Sequence, residues 1–436
     1  MMKMGMSCVD ITPPIGIAMD GFAAREPSSL GVHDRLKATS LVIVDGENTA
    51  AVLSCDLCDM DVSLVSEVRQ EISARTGIPG KHVAVACTHT HYGPAVSEYN
   101  TFYKPSSAVT AYRAALKFYL AGAVEEAAAN MREVTIGVGW GTSNIGVNRR
   151  QIQADGTIIL GQNPEKPIDR QVGILKIQTS DQPGSACIVN FACHPVSQTW
   201  RMRFISADYP GKAREVVETL TGAHYMFLQG ACGNINPVWI NYSYEPARKL
   251  GTQLGCEIVK VWEDINPVSD GSLAVASETI KIPRYNYGSK ENAVKILASL
   301  EKEIEKLKKK GAAEGLINWT NLRRKRVTQA LESWNTGKPL PTVEAEIQAW
   351  KLGDLGIVFV PGELFNEIGV YVKQHSPFAD TFFVGYANGN VGYVPTREAY
   401  AEGGYEVNAA CQVSPEAEEL ITKKCLELLE TLHKKP

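Results

Sequence analysis

Hydrophobic positions along this chain switch repeatedly between short apolar runs and a helical repeat, so strands and helices alternate. Met6 to Ile11, ending at Pro13-Pro14, reads as an edge strand that breaks into a turn. Leu41 to Val44 and Ala50 to Leu53 flank Asp45-Gly46-Glu47-Asn48, which predicts a hairpin. Leu64, Val65, Val68 and Ile72 share one helical face between Asp61 and Thr76, and Gly77 with Pro79 ends that helix. Val83-Ala84-Val85-Ala86 is a buried strand, followed by an alanine-rich helix over about 108–131. Further strands are expected at Thr135–Val138, Val172–Ile177, Cys187–Ala192 and Tyr225–Leu228, with a hairpin around Asp155-Gly156. A helix over about 245–262 follows. Leu355–Val360 and Phe382–Tyr386 read as late strands, and Ser414-Pro415-Glu416 predicts a C-terminal helix with Ser414 as N-cap.

One segment differs. Over 289–335, Ala293, Leu297, Leu300, Ile304 and Leu307 are spaced four, three, four, three, a heptad seam with Lys and Glu between. A second stretch carries Leu322, Val327, Leu331 and Trp334. This predicts a helical hairpin inserted between strands. Its charged faces read as solvated surface, with a partner-binding arm as the alternative, and self-association through it is the oligomer expectation. No repeat or low-complexity linker divides the chain, so residues 1–436 are expected to form one domain that includes the hairpin.

Composition narrows the function classes. Apolar residues make up 44% of the chain and charged residues 21%, ordinary for a globular protein. A formal net charge of −4 with scattered cations offers no footprint for nucleic acid. No run reaches the ~18 apolar residues of a membrane span. The first residues, Met-Met-Lys-Met-Gly-Met-Ser-Cys, lack the apolar stretch of a signal peptide, and most of the ten cysteines lie in apolar runs. Both features set the expectation of a cytoplasmic protein with reduced thiols. Cys55 and Cys58 have redox or zinc-knuckle spacing but lack a second pair, so they read as structural.

Chemistry-bearing residues recur just after strands. Cys-Thr-His-Thr-His-Tyr-Gly-Pro, 87–94, places His89 and His91 two apart where a strand becomes a loop. In extended backbone both rings would face one side. His194 follows the strand at 187–192, and Glu363 follows the one at 355–360. Asn388 and Tyr393 lie beyond the strand at 382–386. If these strand ends gather at one sheet edge, two histidines and a carboxylate make a known catalytic zinc arrangement. Each residue also has an ordinary reading: a chance histidine pair, a turn histidine before Pro195, a surface turn at Glu363, a core tyrosine.

The combination of His-Thr-His-x-Gly-Pro, His-Pro after a strand, Pro-Gly-Glu and Gly-Tyr-Val-x-Thr-x-Glu-x-Tyr resembles the catalytic domain of neutral/alkaline ceramidases. The resemblance runs in order from Asp10 to Tyr405 and skips the hairpin. It implies an α/β fold of mixed, stacked sheets wrapped by helices, and zinc-dependent hydrolysis of an N-acyl amide. It also implies Zn²⁺ ligands at His89, His194, Glu363 and Tyr393. His91 would move a proton or stabilise the oxyanion, Arg149 would belong to the active site, and Tyr405 would hydrogen-bond the oxyanion.

Two departures stand out. Asn236, in Asn-Ile-Asn-Pro, occupies the position of a functionally important serine in that family, and the chain carries no counterpart of the C-terminal β-sandwich of the secreted enzymes. The expectation is therefore a zinc-dependent amide hydrolase acting on a small molecule more polar than ceramide. An ester or lactone hydrolase, and a non-catalytic metal-binding interaction protein, are the alternatives.

Overall fold

Two β-sheets stack face to face, each covered on its outer side by helices. The computed structural model describes residues 2–46, 48–97, 102–103, 105–179, 184–268 and 271–435, so Glu47 of the expected Asp-Gly turn lies outside the described residues. The larger sheet contains β1 (Met2–Asp10), β2 (Lys37–Asp45), β3 (Asn48–Cys55), β4 (Val83–Cys87), β5 (Arg132–Thr142), β6 (Gln171–Thr179), β7 (Ala186–Phe191) and β8 (His224–Gln229). Their order is β8-β7-β6-β5-β1-β2-β3-β4, antiparallel except for the parallel pairs β7–β8 and β3–β4. The smaller sheet runs in the order β9 (Leu273–Ile282), β10 (Val343–Leu352), β11 (Leu355–Phe359), β12 (Asp380–Val384), and β11–β12 is parallel.

Period-two alternation explains the layering. In β2, Leu41 and Ile43 face Trp350, Phe359 and Phe382 of the smaller sheet. Val42, between them, faces the helices on the other side. Those helices are α1 (Val62–Thr76), α2 (Ser107–Ala129), α3 (Asp208–Thr221) and α4 (Glu245–Asp264). On the far side of the smaller sheet, Ile347, Val358 and Phe383 pack against Ile368 of the helix Asn366–His375 and Leu428 of the helix Ala417–His433. The expected α/β class with stacked, helix-wrapped sheets is what forms. No described helix is long and apolar enough to cross a membrane.

Two local expectations are corrected, and three elements carry no expectation. The strand at Met6–Ile11 is not an edge: β1 is interior, paired with β2 along its length and with β5 at Lys3 and Met4. Ser414 is not the N-cap of the last helix; Glu416 is, while the Ser414 carbonyl accepts from Ala417 N at 3.0 Å. The strands β9 and β10 and the helix α3 go unread in the sequence. The first turn of α3 contains Asp208-Tyr209-Pro210-Gly211, which looks like a loop.

The inserted segment forms two helices, Lys290–Lys309 and Glu314–Thr336, between β9 and β10. Ser289 caps the first by accepting from Asn292 N at 3.1 Å. The second does more than present a solvated face. Its Gly315 sits so close to the long loop after β1 that an added Cβ would lie 2.4 Å from the Ala23 carbonyl oxygen. Asn318 Nδ2 donates to the Phe102 carbonyl at 2.9 Å, and the Trp319 ring meets Phe102 edge to face at 5.6 Å. Positions 315, 318 and 319 form an i, i+3, i+4 face separate from the heptad seam.

Candidate metal centre and active site

The strand ends converge by a route different from a shared sheet edge. β4 and β8 are the two opposite edges of the larger sheet, and the segment after β12 bridges them. Gly385 N donates to Gln229 O at 2.9 Å, Cys87 N to Tyr386 O at 3.1 Å, and Asn388 N to Val85 O at 2.8 Å. Asn388 also accepts from Val85 N at 3.0 Å, so its side chain clips the sheets together. Around this clip gather the C-terminal ends of β4, β7, β8, β11 and β12. Glu363 and Tyr393 then pair in a short parallel ladder, Glu363–Leu364 with Tyr393–Val394.

The His89–His91 geometry needs correction too. β4 stops at Cys87, and His89 adopts φ +68°, so the pair does not lie on an extended strand. Non-glycine residues in that region are uncommon and concentrate at functional sites. Here the turn is fixed by Thr88 N to Cys55 O at 2.8 Å, His89 N to Leu57 O at 2.9 Å, and His91 N to Pro195 O at 3.3 Å. The rings meet nonetheless: the two Nε2 atoms are 3.1 Å apart.

Each candidate ligand is aimed by its backbone surroundings. His89 Nδ1 bonds the Cys58 carbonyl at 2.7 Å, and His194 Nδ1 bonds the Cys232 carbonyl at 2.6 Å. A carbonyl only accepts, so both rings must carry their proton on Nδ1, leaving bare Nε2 lone pairs. Those lone pairs lie 3.3 Å from Glu363 Oε2 in both cases. Tyr393 Oη lies 3.4 Å from His194 Nε2. A tetrahedral ion with ligand bonds of ~2.0–2.1 Å has ligand–ligand edges of roughly 3.3–3.4 Å. Two imidazoles, a carboxylate and a phenol at this spacing fit a zinc ion, and all four residues are buried.

The second grouping of donors, Cys58 with His89 and His91, fits less well. It would draw on His89 Nδ1, which is already bonded to the Cys58 carbonyl. Burial also pushes the Cys58 thiol up, away from the thiolate that a metal needs. Cys55 and Cys58 both act as buried free thiols, as the spacing argument expects.

Electrostatics favour neutral His91 and His194 beside an ionised Glu363. Burial, with Arg149 next, pulls His194 down to about 4. Burial and the flanking His89 and His194 hold His91 well below its ordinary value. For Glu363, burial opposes ionisation, but His89 and His194 together keep the carboxyl well below the usual range.

Arg149 lies beside this group, with Nη1 3.4 Å from both His194 Nε2 and Asn236 Oδ1. Nε donates to Glu406 at 2.8 Å, and Nη2 is buried with no partner among the described residues. Tyr405 stands at the rim, 37% exposed, its ring 5.9 Å from Tyr393 and edge to face with it. All seven residues singled out in the sequence therefore come together.

Several supporting residues carry no sequence signal. Glu406 is buried and pairs with both Arg149 and Arg150 at 2.8 Å. The Tyr386 ring stacks on His89 at 3.9 Å. Asp208, at φ +57°, accepts from Ser197 N at 2.8 Å and from Ser197 Oγ, which fixes the loop just after His194. Gly21 lies where an added Cβ would fall 2.4 Å from His91 Cγ, so only glycine lets the 20–22 loop close on that ring.

The chain is similar to known proteins in sequence and in fold. The sequence profile for "Neutral/alkaline non-lysosomal ceramidase, N-terminal" matches residues 2–232, more than half of the chain. The neutral ceramidase of Pseudomonas aeruginosa is 23% identical over 469 residues, covering 93% of this chain and 68% of that protein. The neutral ceramidase of Drosophila melanogaster is 35% identical over 96 residues, 21% of this chain and only 14% of the fly protein. Among solved structures, the Pseudomonas aeruginosa neutral ceramidase superposes with a TM-score of 0.76 at 20% identity, covering 100% of this chain and 75% of that one. At that identity the likeness speaks for the fold.

Proposed function

The chain belongs to the neutral/alkaline non-lysosomal ceramidase family, and from that premise we propose that it is a zinc-dependent hydrolase of amide bonds, acting on a substrate smaller and more polar than ceramide. The observation that carries this reading is the tetrahedral-edge spacing of His89, His194, Glu363 and Tyr393, with both imidazole tautomers set by backbone carbonyls. These four residues would hold the ion. A zinc ion there supplies Lewis acidity, polarising a carbonyl and letting water ionise near neutrality.

The remaining work falls to side chains of this chain. His91 is neutral at pH 7 and has Nε2 facing the ligand cluster, so it can take a proton from attacking water. It can return that proton to the leaving nitrogen, which must be protonated to depart. Arg149 keeps an unsatisfied Nη2, and Tyr405 a phenol at the rim; both are donors for charge that develops on the former carbonyl oxygen. Glu406 pins Arg149 so that this donor is positioned beforehand. Glu363 is assigned to the metal alone, because ligation lowers its basicity. The preference for a polar substrate rests on Asn236, next to Arg149, at the position where the sequence resemblance implies a serine.

A panel of N-acyl amides and matched O-acyl esters, assayed with the zinc-loaded protein, tests the reading. Amide turnover that disappears in His91→Ala is expected. Turnover of esters or lactones alone would overturn the amide assignment.

A further inference from the structure

Arg25 is fully buried beside the site and forms no ion pair among the described residues. Its Nη1 donates to the Asp20 carbonyl at 2.7 Å, while Nε and Nη2 have no partner among the described residues. Those two atoms are not an arbitrary pair. Their N–H bonds run parallel along one edge of the guanidinium, the edge that takes both oxygens of a carboxylate. Buried charges in proteins are paired or they are costly, and a buried guanidinium with an empty fork is the exception that asks for a ligand.

The neighbours do not fill the need. The guanidinium carbon sits 4.7 Å from the Phe22 ring centroid and 5.1 Å from that of Tyr92. Such ring contacts stabilise the cation but give its in-plane N–H groups nothing to bond. Glu26, the adjacent acid, is exposed, and neither it nor the Asp20 carboxylate makes an ion pair with Arg25 among the described residues. Asp20 Oδ1 accepts from Gly21 N at 2.7 Å, and burial and the nearby Asp59 favour its protonated form. A protonated Asp20 cannot neutralise Arg25. Burial also draws the guanidinium itself down to about 10, and the nearby Tyr92 and Asp20 only partly oppose it.

The position ties this fork to the reaction. The Phe22 ring that carries Arg25 on one side meets His91 edge to face at 4.9 Å. One aromatic ring therefore separates the fork from the imidazole assigned to proton transfer. We propose that Arg25 is a specificity-determining residue that binds a substrate carboxylate through Nε and Nη2, and that the substrates are amides bearing a carboxylate, with N-acyl amino acids the simplest class. The proposal rests on the amide-hydrolase reading for the bond cleaved, but not for the anion recognised. A ceramide carries no such carboxylate, so the fork also gives a physical reason for a substrate other than a neutral lipid amide.

The test compares N-acetyl-leucine with N-acetyl-leucinamide, which differ at the carboxylate, using the full-length, zinc-loaded protein. The ratio of kcat/KM for acid over amide is expected to be about 100 or more, because a site built to bond a polar group rejects the analogue lacking it. In Arg25→Gln that ratio is expected to fall to near one. Arg25→Lys, which keeps the charge but loses the fork, should lower it about tenfold or more. Thermal melting shows which variants fold, and if Arg25→Gln does not, the Arg25→Lys ratio decides.

Equal turnover of the two compounds by the wild type, or an unchanged ratio in the variants, would overturn the assignment. Calorimetric titration of N-acetyl-leucine gives a reading independent of turnover: binding weakened about tenfold in Arg25→Lys supports the fork, and unchanged binding refutes it. The two proposals separate cleanly. If O-acetyl hydroxy acids are cleaved with the same Arg25-dependent preference and amides are not, the carboxylate site stands and the amide reading fails. Amide cleavage with no carboxylate preference has the opposite meaning.

Discussion

His91 Nε2 lies 3.1 Å from His89 Nε2, although the two rings have different tasks. His89 is held by the Cys58 carbonyl and stacked on Tyr386, which leaves it one free lone pair directed at Glu363. Among the described residues His91 bonds no carbonyl through its ring, and its Nδ1 is buried without a partner. The first arrangement suits a metal ligand and the second a group that exchanges protons.

That division gives a first prediction. His91→Ala should retain bound metal and lose about 10²–10⁴-fold in kcat, the range for removing a general acid–base group. Steady-state kinetics on zinc-loaded protein would measure it. A kcat within a few-fold of wild type would remove His91 from proton transfer.

Gly21 offers a milder way to disturb the same ring. At φ +94°, with His91 Cγ 2.4 Å from where a Cβ would be, Gly21→Ala must push the imidazole aside. A displacement of about 1 Å at a reacting group costs ~10²-fold. Loss of kcat at unchanged zinc content is the expected pattern. Wild-type kinetics in this variant would mean that the placement of His91 does not matter.

Glu406 is shared by two buried arginines, with both contacts at 2.8 Å, and while Arg150 also pairs with Glu402 at 2.9 Å, Arg149 pairs with no other carboxylate among the described residues. Removing one partner of a buried ion pair leaves uncompensated charge and costs about 3–5 kcal/mol. Glu406→Gln should therefore lower the free energy of unfolding by about that much, read from urea denaturation, and should also slow turnover through Arg149. Unaltered stability would contradict the buried-network account.

Asp208 makes stability depend on pH in a defined direction. Burial raises its carboxyl from an ordinary 3.8 to about 6, against its bonds from Ser197. Between those values the folded protein holds a proton that the unfolded chain has released. Asp208 therefore favours the folded state at low pH, and this contribution is lost as pH rises from about 4 through about 6, at ~1.4 kcal/mol per unit. His194, drawn down to about 4, acts in the opposite sense, since the unfolded chain takes up a proton first as pH falls below about 6.5. The difference between wild type and Asp208→Asn isolates the carboxyl. Urea midpoints at pH 4.5 and 7 should fall more with rising pH in wild type than in the variant; parallel midpoints would remove Asp208 as a titrating brace.

The sequence disclosed much of this wherever the signal was local. The hairpin of β2 and β3, the helix from Val62 to Thr76 and the strand before His89 follow from alternation, helical spacing and turn residues. Five of the seven site residues were legible because each lies beyond a strand; Arg149 and Tyr405 were legible only through the resemblance to a known family. Long-range facts were not legible. Nothing local says that β4 and β8, at opposite edges of one sheet, are bridged by residues 385–388. Nor does local sequence reveal that His89 turns left-handed, that Glu406 serves two arginines, or that Arg25 is buried with no ion pair among the described residues. The strands Leu273–Ile282 and Val343–Leu352 carry no clear apolar run because four of the ten positions in each are polar or charged, and the hairpin separates them.

The central claim is that His89, His194 and Glu363, with Tyr393, hold one zinc ion. It is tested most directly by metal analysis of the chain purified without chelator, alongside His89→Ala, His194→Ala and His91→Ala. The account predicts one zinc per chain in wild type and in His91→Ala, and loss of zinc from the other two. Absence of stoichiometric zinc from the wild type, or its full retention in His89→Ala and His194→Ala, would contradict it.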